Sequence, residues 1–516
     1  SETTELNVDI NNSIITGHEI SFGGLFNYNG DIFGNHQVKN SILEHSTDIA
    51  GVNILTTDNI DSENLLIGVD PYFIDSSSGN YDLFAYSSAI NGGDDSILDS
   101  DGTVSDIGYF TYTLDGYSVY WYVDDSAAEG DISGIGTQVN PFKSIRSGIN
   151  IASSGDTVLV ESGTYNEHLM ITDDVNLVSL NGSESTIITG NDPGHSITTV
   201  GNLISIDNSS LQIDAAILID GFTLQDNRTN GAGGGAIGCY NTTHDVTISN
   251  MHINNNYGSN GGGFYLGSSS AHQYLDNITF LNNTASRAGG GVYVSNSNVT
   301  ISNSVIEGNH TQNGYAGSPQ GGGGIFIDMN SSGPEIITLN NVNIDNNTID
   351  EVSTSGLGGG IYLSDNQTLI MNGGTIEGNI NNSETPDGSA IVSYGQIVIN
   401  DASITNNTGG DVIKIFPTSG SNLTLTNTNI EFNNTTDRVI NVYSIGGSAS
   451  SLTNVKIANN DLQNSIYDVV YFRGSTLTMD RVELTDTTSL SQSLHLHSTQ
   501  AIITNSTGGI VCSCNC

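Results

Sequence analysis

The sequence predicts an all-β chain folded as a right-handed parallel β-helix, a solenoid with about three strands per coil. Three observations carry that prediction. A unit opening on a glycine run recurs at Gly233, Gly261, Gly289, Gly322 and Gly358, 28 to 36 residues apart, a period characteristic of solenoids and propellers. Each unit is built of short β-branched runs with period-two alternation, and none contains a helix-length apolar stripe. Asparagine pairs recur at what would be one corner: Asn255-Asn256, Asn282-Asn283, Asn346-Asn347, Asn406-Asn407, Asn433-Asn434 and Asn459-Asn460. Stacked amides at such a corner can bond from coil to coil as a ladder. A propeller would need recurring hairpins of antiparallel strands, which the turns do not supply.

Taken in order, residues 1–116 differ in style from the repeats and are expected to be the terminal coils and closing segment of a preceding β-helix-like module. Asn12-Ser13-Ile14-Ile15 and Val38-Lys39-Asn40-Ser41-Ile42-Leu43 read as coil strands. Asp70-Pro71-Tyr72-Phe73, Gly79-Asn80-Tyr81-Asp82-Leu83, Ser88-Ala89-Ile90-Asn91-Gly92-Gly93-Asp94 and Asp99-Ser100-Asp101-Gly102-Thr103 follow. That succession resembles the segment that terminates β-helices in large secreted bacterial surface proteins.

A second β-helix is expected over 117–516. Tyr120-Trp121-Tyr122-Val123, Asn140-Pro141-Phe142-Lys143 and Gly155-Asp156-Thr157-Val158-Leu159-Val160 resemble the opening of secreted β-helix proteins, with a short helix over about 140–152 capping the first coil. Pro141 suits a first helical turn, and Phe142, Ile145, Ile149 and Ala152 fall on one face. A cap is needed because an open stack exposes unpaired strand edges. Regular repeats run from about 219 to 507. Their Gly234-Gly235-Ala236-Ile237 and Phe280-Leu281-Asn282-Asn283 resemble the GGA-I and Phe-x-x-Asn repeats of polymorphic outer-membrane proteins and adhesins. The resemblance implies a secreted or surface-displayed β-helix and does not imply catalysis.

Composition narrows the function classes. Asp and Glu number 55 against 10 Lys and Arg, for a net charge of −45 and a pI near 4.1. Such a surface repels nucleic acid and anionic membranes and attracts cations. No apolar run reaches the length needed to span a bilayer. Asp99, Asp101 and Asp106 offer the hard oxygens of a calcium turn, although Phe110 stands where an EF-hand would place Glu; an ordinary acidic turn uses the same residues. Cys512, Cys514 and Cys516 suit cross-linking in an oxidising exterior better than structural zinc, which favours Cys-x2-Cys pairs. Sequons at Asn181, Asn227, Asn298 and Asn422 are candidate glycan acceptors. His495 and His497 share one face of a strand and read as a solvent-facing pair, while Cys239 reads as core.

Enzymatic motifs are sparse. Of the Asn-Thr-Asp, Asp-Asp, Gly-His-Gly and Arg-Ile-Lys set of polygalacturonases, only bare Asp-Asp pairs such as Asp173-Asp174 occur. The basic residues do gather late in the chain: Lys414, Arg438, Lys456, Arg473 and Arg481. With Asp437 and Glu483 they could line a sugar groove, or they could neutralise acidic residues on neighbouring coils. The leading expectation is an extracellular structural or adhesive module whose Ile502–Ser506 end meets residues 12–15 of another copy, head to tail, with the cysteines at the joint. The alternative is a carbohydrate-binding or polysaccharide-cleaving β-helix, with extracellular glycans as partners.

Overall fold

The computed structural model describes residues 9–11, 13–15, 36–43, 60–67, 71, 73–75, 80–83, 87–99, 103–109, 120–127, 136–190, 201–208, 215–229, 233–312, 320–328, 334–350, 356–443, 448–463, 467–474, 476–485, 494–497 and 499–508. The chain forms two compact units, Ser1–Glu161 and Ser162–Cys516. The boundary expected at 116/117 therefore falls inside the first unit.

In the first unit, Asp9–Asn11 and Ile14–Ile15 pair in parallel with His36–Leu43, which pairs in parallel with Ile60–Ile67. Asn40 sits at positive φ and its amide donates to Asn11 Oδ1. Phe73–Asp75 then pairs antiparallel with Asn80–Leu83. Further on, Tyr120–Val123 pairs in parallel with Thr157–Val160, and Trp121 donates its indole N–H to Asp156. The expected helix is present but shorter, α1 at Ile145–Ile151. Pro141 lies before it, and Ser144 is its N-cap, accepting from the Ser147 N–H. That shift rotates the buried face to Ile145, Ser147, Gly148 and Ile151, so Ile149 is only half-buried. Gly148 sits where a Cβ would come within 2.8 Å of the Val158 side chain, which brings α1 close to its strands.

The second unit is a right-handed parallel β-helix. Right-handed crossovers follow from the twist of parallel strands. One sheet has 12 strands, from Leu169–Ile171 to Leu494–His497, and a narrower one has 10. The third is long and runs through Val246–Asn254, His272–Leu281 and Ile336–Asp345. Identical registers put like residues above one another. Ile248, Leu275, Ile301, Leu339, Met371, Ile399, Leu425, Leu452 and Met479 make one column in the bore. Phe280 belongs to a second such column and is fully buried. Cys239 is buried too, which pushes its thiol up to about 12.

The corner ladder is present, with a different membership. Asn256, Asn283, Asn309, Asn347, Asn379, Asn407, Asn433 and Asn460 are all buried. Along this column each backbone N–H and side-chain amide donates to the Oδ1 of the next coil, for example Asn283 to Asn309 at 2.9 and 3.0 Å. The amide also donates to a carbonyl of the preceding coil, as Asn283 does to Ile253 at 2.7 Å. The residue before each rung is left-handed: Asn255, Asn282, Gly308, Asn346, Gly378, Asn406, Phe432 and Asn459 have φ between 55 and 63°. The rule is therefore a left-handed residue followed by Asn. Glycine fills the first position before Asn309 and Asn379, and in Phe432-Asn433-Asn434 the rung is the first asparagine of the pair.

The glycine triplets meet a different demand. A Cβ on Gly290 would lie 2.3 Å from the carbonyl oxygen of Gly323, and one on Gly323 would lie 2.3 Å from that of Gly359. At these places the backbone of one coil occupies the space a side chain would need. Among the described residues, no helix is long and apolar enough to cross a membrane.

Candidate functional site

The outer face of the 12-stranded sheet carries most of the chemistry-bearing side chains. Tyr265, Tyr293, Phe326, Tyr362, Val392, Lys414, Asn441, Tyr471 and His495 follow one another in register. The first part of this column is an aromatic stack, with Tyr265 to Tyr293 at 5.3 Å, Tyr293 to Phe326 at 5.4 Å and Phe326 to Tyr362 at 4.4 Å. Ala288 and Leu357 pack against it, so Tyr293, Phe326 and Tyr362 are buried. From Lys414 onward the column turns polar.

The change follows from what replaces the glycines. The hydrogen-bond register aligns Gly359 with Ser389, Asp411 and Arg438, and aligns Gly358 with Gly388 and then Asp437 one coil beyond Gly410. Side chains thus appear where earlier coils allow none. Asp411 is buried and accepts from the Arg438 N–H at 2.9 Å and the Asn441 amide at 3.0 Å. Lys414 Nζ lies 3.6 Å from Asp411 and in direct contact with Asp387 Oδ1. It also sits over the Phe416 ring at 4.8 Å, and Phe416 stacks on Tyr394 at 4.5 Å.

Burial raises Asp411 above the ordinary carboxylate range, against the opposing pull of Lys414 and of the Asn441 amide. Burial likewise raises Asp437, with Lys414 and Arg438 pulling it down and Asp387 pushing it up. For Lys414, desolvation lowers the ammonium, but Asp411, Asp387 and Asp437 together outweigh it and hold the group above its usual value. The cluster therefore combines a half-exposed aspartate raised by burial, an aspartate bound to a lysine, and a buried aspartate that fixes the lysine and the Arg438 backbone. Glycosidic-bond cleavage uses a pair of carboxyl groups of which one is raised.

Of the five late basic residues, three share this face. Arg438 lies between the rings of Tyr467 and Tyr471 at 4.7 and 4.8 Å, and Arg473 covers Tyr443 at 4.5 Å. Lys456 and Arg481 belong to the long sheet, where they pair with Glu431 at 2.7 Å and Asp480 at 2.6 Å. Glu483 is in register with Lys456 and so stands apart from Asp437. His495 and His497 do face outward, and His495 Nδ1 is 2.8 Å from Asp468.

The other sequence-predicted sites remain apart. Asp99 accepts from the Asp106 N–H at 3.0 Å and Asp106 from the Asn91 N–H at 2.8 Å, so their oxygens order a turn; Asp101 lies outside the described residues. Among the described residues, no group of three or more His, Cys, Asp or Glu is placed to hold a metal ion. Cys512, Cys514 and Cys516 also lie outside them. Asn227 is buried and spends its amide on Gly201 and Gly235 at the start of the ladder, which removes it as a glycan acceptor. Asn181 is exposed, whereas Asn298 and Asn422 are half-buried.

No family model matches the chain. No curated protein matches it either. Among solved structures, it is similar to the Agl-KA catalytic domain (14% identity, TM-score 0.40, covering 68% of this chain and 63% of that one). It is also similar to the catalytic unit of the GH87 α-1,3-glucanase of Streptomyces thermodiastaticus (14%, 0.38, 70% and 64%). A third is the family 28 exopolygalacturonase of Yersinia enterocolitica (13%, 0.31, 81% of each). The chain thus spans less than two thirds of the length of the first two. At these identities nothing about chemistry passes from them to this chain.

The expectation of a structural or adhesive module assembling end to end is corrected here. Two of the solved structures it resembles in fold are named as glycan-degrading enzymes, a glucanase and an exopolygalacturonase, and none of the three as a structural or adhesive protein. Its own last coils, moreover, bring Asp387, Asp411 and Asp437 around one lysine on an outer face.

Proposed function

We propose that the chain is a secreted β-helix that hydrolyses glycosidic bonds of a polysaccharide at the Lys414 cluster. The observation that carries the reading is the convergence of Asp387, Asp411 and Asp437 on one lysine, with Asp437 half-exposed and raised by burial. In this reading Asp437 protonates the departing glycosidic oxygen. Asp387, in contact with Lys414, acts on the opposite side, through water or directly on the anomeric carbon. Asp411 is too buried to touch a sugar; it positions Lys414 and the turn bearing Asp437 and Arg438.

The test is reducing-end release from a panel of α-glucans, β-glucans, polyuronates and sulfated galactans. Asp437→Asn and Asp387→Asn should each lower the rate on the cleaved polymer by about 10²–10⁴-fold with melting unchanged. Wild-type rates in both variants would overturn the assignment, as would a wild-type protein that cleaves nothing in the panel.

A further inference from the structure

In a chain with 55 acidic residues against 10 basic ones, each cation is expected to find a carboxylate. Lys414, Lys456 and Arg481 do so. Arg438 and Arg473 do not: neither makes an ion pair within contact distance among the described residues, though Asp437 lies near enough to feel the Arg438 charge. Both guanidinium groups instead lie over tyrosine rings, Arg438 over Tyr467 and Tyr471 and Arg473 over Tyr443. The Arg438 Nε is buried and has no hydrogen-bond partner. Stacking occupies the faces of a guanidinium and leaves its donor edge, and that edge matches an oxyanion in two parallel hydrogen bonds. A buried donor with no acceptor is costly unless something supplies one.

We propose that Arg438 receives the acidic group of the sugar bound next to the Lys414 cluster, and that the substrate is therefore an anionic glycan bearing carboxylates or sulfates. Arg473, on the adjacent strand and beside Tyr443 in register, takes the acid of a neighbouring residue of the same polymer. The arrangement reconciles a polyanionic ligand with a protein of net charge −45. The local field sets Lys414, Arg438 and Arg473 against Asp387, Asp411 and Asp437, close to balance, whereas distant surface carboxylates are screened by salt beyond a Debye length of about 8–10 Å. Tyr467, Tyr471 and Tyr443 hold the guanidinium planes in place, which lowers the ordering cost of binding.

This inference rests on reading the Lys414 cluster as the cleavage site, and the experiment separates the two. The full chain carrying Asp437→Asn, which should bind without turnover, is titrated calorimetrically with three hexasaccharides: a galacturonate, a sulfated galactan and a neutral β-glucan. At least one anionic probe should bind 10-fold or more tighter than the neutral one. Whether the galacturonate or the sulfated galactan binds more tightly tells carboxylate from sulfate. Arg438→Gln should abolish the preference, and Arg438→Lys should restore only part of it, because lysine neither stacks nor forks. Unchanged melting of both variants excludes a folding defect. Equal affinity for neutral and anionic probes, no binding of either anionic probe, or a preference that survives Arg438→Gln would each overturn the proposal. Anionic binding in a wild-type chain that cleaves no polymer would uphold it and refute the hydrolase reading. Cleavage of a neutral polymer with no anionic preference would do the reverse.

Discussion

Coils opening on glycine triplets, from Gly261 to Leu363, differ from the coils between Asp387 and His497 in one column of backbone positions. In the first region, Gly290, Gly323 and Gly359 allow adjacent coils to approach until no Cβ fits. In the second, the equivalent positions are Ser389, Asp411 and Arg438, and the neighbouring column reaches Asp437. The bore columns and the asparagine ladder continue through both regions without interruption. Close approach at this corner is therefore not what holds the solenoid together. Where the ladder and bore suffice, the corner can release its glycines and carry charge.

The largest way to break that contrast is to exchange the two kinds of corner. Gly323→Asp places a carboxylate against the Gly359 carbonyl and should cost about 4–5 kcal/mol or more, the range of severe core disruption. Asp411→Gly should cost only about 1–2 kcal/mol, as lost hydrogen bonds are offset by relief of a buried carboxyl. Urea denaturation of both variants checks the pair, and equal losses would erase the distinction between the regions.

Next in size is the ladder, which should not distinguish the regions. Asn347→Ala leaves the Asn309 N–H and amide without their acceptor and the Ile306 carbonyl without its donor. Its cost should be about 3 kcal/mol. Asn407→Ala in the later coils should cost the same within about 1 kcal/mol, measured by the same unfolding curves. A much smaller loss at Asn407 would mean that the late coils are held by their surface pairs instead.

A third effect belongs to the late coils alone. Asp411 and Asp437 have raised folded-state values, so between the ordinary aspartate value and those values the folded chain keeps protons that the unfolded chain has released. Stability from these groups is consequently highest at acid pH and declines as pH rises through that window. Asp411→Asn should flatten the decline in melting temperature as pH rises above the ordinary aspartate value, about 3.9, relative to wild type. In the proposed cleavage, ionisation of Asp437 sets the alkaline limb of turnover. Lys414→Met removes a cation that lowers Asp437, so this limb should move upward, whatever the residual rate.

The smallest effect is a gain. Phe432 stands at φ 60° and is 58% exposed, in a column otherwise filled by Asn and Gly. Phe432→Asn should stabilise by about 1 kcal/mol by easing a left-handed residue, raising the thermal midpoint slightly. A loss would show that the ring makes contacts worth more than the strain.

The fold was legible because coil stacking repeats its demands: alternating Ile, Val and Leu, glycine before a strand, asparagine after one. The ladder was legible only in part. Doubled asparagines drew attention, yet the physical unit is a left-handed residue plus one amide. Asn309 and Asn379 were therefore missed, and Asn433-Asn434 was taken as a pair where only Asn433 is a rung. At the site, Lys414, Arg438 and Arg473 were visible as rare cations, and Asp437 as their neighbour in sequence. Asp387 was not, because only stacking brings a residue 27 positions earlier to Lys414, and Asp411, three positions before the lysine, carries no motif of its own. A signal was present in Gly409-Gly410-Asp411, where an aspartate ends a glycine run that elsewhere continues.

The rungs of the ladder keep constant geometry while the chain between them varies from 26 residues, Asn283 to Asn309, to 38, Asn309 to Asn347. Length is thus decoupled from pitch. In engineering terms the chain between one rung and the next is an insertion port: foreign peptides spliced there would lengthen one coil without altering the spacing of the rest. A cargo of a dozen residues would then be displayed at a fixed height on a scaffold whose melting behaviour it does not govern.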